Sequence, residues 1–440
     1  MVAIFVFIVA LLLLLIQPIP THATAPLQTI CDARQFGAAG DNQTEDTAAV
    51  QAALRACTTV VLVANHTFLL RPVELYSNRH LQIDGIVAAW RDIATWPNST
   101  NKKCGLNSIM SNASRILVPH KEALLWGIAP LSNISVSGSG TVDGQGWRWW
   151  PLKNRSLYWH HCRPQLLALG QGNVTTYGSI LNVVVSGVTF KDSPWWTISG
   201  RGLQNATFHN VTVTTTGCGY AEAPNTDGFN IQGKDIVVKN SFVRNGDDCV
   251  PIFPPSRNVL VQNVTCTCGN PPAAVIFPPA NQVMGRHKYF AGDIENVRFD
   301  QITCKGTSSG IAIKSMTPFI GTVKNVSFTN FILQDVNKGM AIDFFHQGVV
   351  QKEKSEVSAL ASADLVVIEN VTGTVSDVGG AGHINCLGTE PCLGLRVDNV
   401  QLTSMKSGAV AKNYSCLHVS GTFDRCSPVP CVNQENMIPL

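Results

Sequence analysis

One six-residue pattern recurs along the whole chain. It runs Asn133-Ile-Ser-Val-Ser-Gly138, Asn182-Val-Val-Val-Ser-Gly187, Asn205-Ala-Thr-Phe-His-Asn210, Asp235-Ile-Val-Val-Lys-Asn240 and Asn258-Val-Leu-Val-Gln-Asn263. It continues as Asn296-Val-Arg-Phe-Asp-Gln301, Asn325-Val-Ser-Phe-Thr-Asn330, Leu365-Val-Val-Ile-Glu-Asn370 and Gly394-Leu-Arg-Val-Asp-Asn399. Every copy is apolar at its second and fourth positions and ends in Asn, Gly or Gln. From Asn182 onward the copies start 23, 30, 23, 38, 29, 40 and 29 residues apart.

Apolar residues alternating with period two describe half-buried strands, and the β-branched and aromatic residues that fill them suit a pleated surface. A terminal Asn or Gly suits a turn with positive φ. A shortest period near 23 residues, lengthened by insertions, is the pattern of a solenoid whose loops vary. No single coil can bury its apolar face, so coils must stack. These points predict an all-β, right-handed parallel β-helix. A propeller is the competing architecture, but it needs antiparallel blades at a longer and more regular period. Asp46–Ala56 reads as a short N-terminal capping helix, with Asp46 as N-cap, that would cover the open end of the core. No break in composition marks a second domain, so residues 26–440 are expected to form one.

With 45% hydrophobic and 14% charged residues, the chain has ample material for a large core, and its net charge is only +3. It has no basic block interleaved with aromatics, which argues against a nucleic-acid partner. Val2–Ile16 is apolar but short for a membrane span, which needs about 20 residues. Followed by Ala23-Thr24-Ala25, it reads as a signal peptide over residues 1–25. No second apolar run of spanning length follows, so no further membrane association is expected.

Fourteen cysteines fit a disulfide-bonded secreted protein. Cys31/Cys57, Cys386/Cys392 and Cys426/Cys431 are the close candidate pairs, and Cys249 has Cys266 or Cys268 as a partner. Cys266-Thr267-Cys268 lacks the second ligand pair that zinc requires. No metal or cofactor is expected. Thirteen Asn-x-Ser/Thr sequons point to a glycoprotein, although several fall in the repeat, where Asn has a structural role to play.

Two acidic motifs stand out, Asn225-Thr226-Asp227-Gly228 and Gly246-Asp247-Asp248-Cys249. The separations 247 − 227 = 20 and 248 − 227 = 21 are close to one coil. Residues one coil apart stack about 4.8 Å apart, which turns two motifs into one cluster of three carboxylates. Paired carboxylates in a groove hydrolyse glycosidic bonds. Neighbours on an ideal strand face opposite ways, so Asp247 and Asp248 share a groove only if the backbone bends, and Gly246 is placed to allow that.

At this point the chain resembles the polygalacturonase family, glycoside hydrolase family 28, of the pectin lyase-like fold. The resemblance rests on Phe36-Gly37-Ala38-Ala39-Gly40-Asp41, on Gly140–Trp150, on Arg163-Pro164, on Ser193-Pro194-Trp195-Trp196 and on both acidic motifs. It implies inverting hydrolysis, with Asp247 as general acid and Asp227 and Asp248 holding water as base. Lys314 and Asn225 would bind substrate, Lys314 through a sugar carboxylate. Inversion requires carboxyl groups about 6.5–9.5 Å apart, and like charges in one site keep one carboxyl protonated. The implied setting is a secreted, cell-wall-associated monomer acting on a pectin-like polysaccharide.

Two family motifs are altered. The position of the family histidine falls on Pro272, 272 − 248 = 24 residues after Asp248, which places it one coil beyond that aspartate. Proline brings no side-chain donor and no N–H. The family arginine is Ala312, beside the retained Lys314, and a bidentate clamp for a carboxylate goes with it. A family tyrosine falls on Phe345. Activity on a different sugar is therefore one reading. A catalytically impaired carbohydrate-binding or structural wall glycoprotein is the alternative. Calcium-dependent elimination by the same fold is disfavoured by the acidic motifs. His287, His346 and His383 are compensating candidates. Trp147, Trp149, Trp150, Trp195 and Trp196 are expected mostly to pack between coils.

Overall fold

The computed structural model describes residues 28–106, 116–154, 162–171, 174, 177–276, 292–315, 320–343, 360–386 and 392–431. The leader expected at 1–25, His287, Phe345 and His346 lie outside these residues. Successive strands pair in parallel with the equivalent strand of the next coil, and the fold is a right-handed parallel β-helix. Among the described residues, Asn98–Leu106 and Ile116–Lys121 form a separate antiparallel pair.

The repeat sets the register. Ile134, Val183, Ala206, Ile236, Val259, Val297, Val326, Val366 and Leu395 stack one above the next. Val136, Val185, Phe208, Val238, Val261, Phe299, Phe328, Ile368 and Val397 form a second column. Both columns are buried. Each Val, Leu, Ile or Phe in them stabilises the fold by about 1.5–3 kcal/mol relative to exposure. Phe299 and Phe328 stack face to face, with ring centroids 4.8 Å apart.

Both ends of the pattern turn. Asn133, Asn182, Asn205, Asn258, Asn296 and Asn325 at the first position have φ of 52–58°, as do Asp235 at 57° and Leu365 at 55°. Asn210, Asn240, Asn263, Gln301, Asn330, Asn370 and Asn399 at the sixth have φ of 51–60°. Asn tolerates this left-handed conformation better than other side chains. Its amide also bonds the rung below. Asn325 donates to Asn296, Asn296 to Asn258 and Asn258 to Asp235, while Asn399 donates to Asn370 and Asn370 to Asn330. The recurrent asparagines of the sequons at Asn133, Asn205, Asn263, Asn325 and Asn370 are thus ladder residues.

The expected helix spans Thr47–Ala56 and buries Val50, Ala53 and Leu54. Asp46 does not cap it. Its carboxylate accepts instead from the N–H groups of Ala39 and Gly40 at 2.6 and 3.2 Å, and Glu45 accepts from Thr47 N at 2.8 Å.

Disulfides join Cys31–Cys57, Cys249–Cys266 and Cys386–Cys392, as the sequence allows, and also Cys218–Cys268 and Cys416–Cys431. The Cys426/Cys431 pairing is incorrect. Cys431 lies 5.5 Å, Cα to Cα, from Cys416 on strand Ser415–Leu417. The Cys426 thiol donates to the carbonyls of Asp424 and Val397.

Asn325→Ala removes one rung and places a Cβ without compensation at φ 52°. It is expected to lower stability by about 1–2 kcal/mol, read as a reduced urea midpoint. Asn325→Gly, which relieves the φ cost, should lose less.

Candidate active site

The chain from Asn245 to Val250 leaves strand geometry, and Asp248 makes a lone parallel bridge to Asn270 in the next coil. This irregular stretch is built around three buried side chains. Thr226 Oγ donates to Ala223 O and accepts from Gly246 N, both at 2.8 Å. The Asn245 amide donates to Thr226 O and Asp248 O, both at 2.9 Å. Cys249 points into the core and is tied to Cys266. Gly246 is required for close approach rather than for positive φ, because a Cβ there would sit 1.9 Å from Ala223 O. The bend that the sequence demanded is present, and it brings Asp247 and Asp248 to one site with Asp227. Gly228 N bonds Asp248 O across the coil boundary at 2.9 Å.

Asp227 and Asp248 are 5% and 4% exposed. Two amides grip the two oxygens of Asp247. Asn225 Nδ2 donates to Oδ2 at 3.2 Å, and Asn270 Nδ2 donates to Oδ1 at 2.9 Å. Each amide is anchored in turn. The guanidinium of Arg163 donates to Asn225 Oδ1 at 3.0 Å, and Ser308 Oγ donates to Asn270 Oδ1 at 2.5 Å. Asp248 N adds a third donor to Asp247 Oδ1 at 3.0 Å. Asp248 itself is ion-paired, with Lys314 Nζ 2.5 Å from its Oδ1.

Burial, with the Asp248 charge next to it, pushes Asp247 up to about 7 even though Lys314 and the donors pull the other way. Asp227 is raised well above the usual carboxylate range by burial and by the two neighbouring aspartates. Burial lowers Lys314, but Asp248, Asp247 and Asp227 outweigh it and leave the amine raised. Arg163 is fully buried, and desolvation lowers it to about 10. Two raised carboxyls, Asp247 and Asp227, beside the ion-paired carboxylate of Asp248 give the site both a proton donor and a proton acceptor, which acid–base hydrolysis of a glycoside requires.

The family model for glycosyl hydrolases family 28 matches residues 118–423. The chain belongs to glycosyl hydrolases family 28. Polygalacturonase QRT2 of Arabidopsis thaliana is 28% identical over 68% of this chain and 64% of its own length, so that alignment spans slightly less than two thirds of the relative. Persea americana polygalacturonase is 26% identical over 92% of this chain and 79% of its own. Among solved structures, endo-xylogalacturonan hydrolase from Aspergillus tubingensis has a TM-score of 0.70 at 20% identity, covering 91% of this chain and 99% of that one. The exopolygalacturonase of Thermotoga maritima has a TM-score of 0.67 at 16% identity, covering 91% and 92%. Both share the fold.

The structure brings Asp227, Asp247, Asp248, Asn225 and Lys314 of this family 28 chain together. Asn225 and Lys314, expected to bind substrate, are bonded to the aspartates. Pro272 lies in the coil beyond Asp248 but not directly opposite it. Pro251 pairs with Ala273, so Pro272 falls beside Val250, and Asn270 is the residue that faces Asp248. The offset between these coils is 270 − 248 = 22 residues, two fewer than the 24 that separate Asp248 from Pro272. Asn270, Ser308 and the role of Arg163 were not foreseen. The Arg-Pro segment was the one available signal, and the Asn270 contact depends on the bend. His383 Nε2 lies 3.8 Å from Asp343, the residue paired with Lys314 in the neighbouring coil. Trp149 and Trp150 pack internally as expected, Trp147 is exposed, and Trp195 and Trp196 stack on each other at 4.5 Å while remaining partly exposed.

Gly246→Ala is expected to displace the bend and lower any turnover at least about tenfold, in line with the sensitivity of catalysis to small misplacements. Circular dichroism should still show the β-helix, because the coils outside this site do not depend on the bend.

Proposed function

We propose that the protein is a secreted hydrolase of pectin or a related acidic polysaccharide that works with inversion at the anomeric carbon. The observation that carries this reading is the Asp247 carboxyl. It is gripped on both oxygens, raised to about 7, and set beside Asp227 and the Asp248–Lys314 ion pair. Asp247 gives its proton to the departing glycosidic oxygen as the bond from the anomeric carbon to that oxygen breaks. Water, held by Asp227 and Asp248, adds to the anomeric carbon from the opposite face and yields its proton to the ion-paired carboxylate of Asp248. Lys314 balances the charge that the three aspartates gather, and Asn225 and Asn270 fix the direction of the acid. The remaining hydrogens of the Lys314 amine are the donors available to substrate, while the Asn225 amide is shared between Asp247 and Tyr220.

Secretion to a wall or extracellular space fits the disulfides, which persist in oxidising compartments, together with the apolar start of the chain. Residues 26–440 are read as one domain acting as a monomer. The replacement of the family His and Arg positions by Pro272 and Ala312 supports the second reading, a carbohydrate-binding protein that has lost turnover.

Reducing-sugar release from polygalacturonate, xylogalacturonan and rhamnogalacturonan separates the two. The expected result is release on at least one, falling by about 10²–10⁴ in Asp247→Asn, the usual contribution of a general acid. Binding with no release on any would establish the second reading. The acid must be protonated to act, so kcat/KM should fall as pH rises through about 7. In Asn270→Ala the loss of a donor to the carboxylate favours its neutral form. That falling limb should therefore move to higher pH, while kcat drops about tenfold from lost orientation. A limb unmoved in Asn270→Ala would assign Asn270 to packing alone.

A further inference from the structure

Beyond the aspartates the groove face continues in a row of outward residues. Ser199 pairs with Asn230, the Ile231–Ile252 pairing sets Asn230 beside Pro251, and Pro251, Ala273 and Ala312 follow coil by coil. The residues between them, such as Phe229, Ile231, Ile252 and Ile313, face the core. Asn230 is only 3% exposed, and neither atom of its amide has a hydrogen-bond partner. Buried amides in native proteins are almost always paired, so this one is built to meet something that is not protein.

Its surroundings say what. Phe253, Ala273 and Ala312 form an apolar cluster of their own, separate from the main core. The partly exposed ring of Trp196 lies 6.1 Å from Phe253. The next residue, Thr197, donates its N–H to Asp227 O at 2.8 Å. The amide, the apolar wall and the carboxylates therefore belong to one groove. The cluster is as deeply placed as Asp227 and Asp248.

We propose that Asn230, Phe253, Ala273 and Ala312 form a subsite for an uncharged sugar carrying a methyl at its C6 end, a methyl-esterified uronosyl residue. The inference rests on the hydrolase reading only for the polymer to which that sugar belongs. The Asn230 N–H donates to the ester carbonyl, and its oxygen accepts from a ring hydroxyl. The ester methyl and the sugar's C–H face lie against Phe253 and Trp196. A free carboxylate would lose its hydration against the same wall, which is costly without a partner. A 6-deoxy sugar offers the methyl but no carbonyl for Asn230.

The test is calorimetric binding to full-length Asp247→Asn of oligogalacturonides of one length, methyl-esterified or free, and of an oligosaccharide containing a 6-deoxy sugar. The ester is expected to bind at least about tenfold tighter than the acid, within the range a methyl-sized difference in a pocket provides. Asn230→Leu in the same background, which keeps the shape without the amide, should erase most of that preference while circular dichroism stays unchanged. Equal or tighter binding of the free acid overturns the subsite. If that acid binding is lost in Arg201→Ala, the carboxylate belongs instead to the guanidinium that follows Gly200 opposite Ile231 one coil earlier. A 6-deoxy oligomer that binds as well as the ester, unaffected by Asn230→Leu, keeps the wall and overturns the ester assignment. No binding by any oligomer overturns the proposal. Ester preference in binding with no hydrolysis by the wild type would overturn the hydrolase reading and leave the subsite standing.

Discussion

Everything in this molecule depends on parallel register between coils. A backbone N–H in one coil bonds a carbonyl of the next, the two strands lying about 4.8 Å apart, and that pairing fixes the register. A shift of one residue would turn Val183, Val185, Phe208 and their column partners out of the core. The asparagine ladders at the strand ends act on the same constraint. They supply the left-handed residue that each corner needs and bond it to the corner below, as in the run from Asp235 through Asn258 and Asn296 to Asn325.

The site is a controlled departure from that regularity. Between Asn245 and Val250 the ladder opens, and the buried Asn245 and Thr226 side chains take over hydrogen bonds that a partner strand would have made. Gly246 lets the two backbones approach. Consecutive aspartates then reach one groove, which no ideal strand permits. Once together in a dry setting, three carboxylates cannot all carry charge. Lys314 pairs with Asp248, Asp247 takes up a proton near neutrality, and Asp227 is raised as well. The two anchored amides, Arg163–Asn225 and Ser308–Asn270, hold that acid in place although Pro272 brings it no side-chain donor.

Legibility in the sequence followed the range of the interactions. The six-residue pattern exposed the solenoid because each copy carries its own inward pair and its own corner residue. The helix at Thr47–Ala56 was visible for the same local reason, but the task of Asp46 was not, since its partners Ala39 and Gly40 reach it through a loop. Cys31–Cys57 was readable from proximity, whereas Cys416–Cys431 depended on how the last strands fold back. The family resemblance and a separation of 24 place Pro272 one coil beyond Asp248, but a separation alone carries no register. The strand pairing puts Asn270 opposite Asp248 and leaves Pro272 beside Val250.

The amino-acid sequence by itself determined the coil, its inward columns, its corners and the closeness of Asp227 to Asp247 and Asp248. Those features arise from alternation and spacing, which act over a few residues or one repeat. Only the tertiary structure decided that Asn225 and Lys314 attach to aspartates, that Asn270 and Ser308 complete the grip on the acid, and that Asn230 is left unpaired beside an apolar wall. Each of these joins side chains from different coils across an irregular bend. Their distances follow from how the coils stack, and a linear pattern carries no record of that.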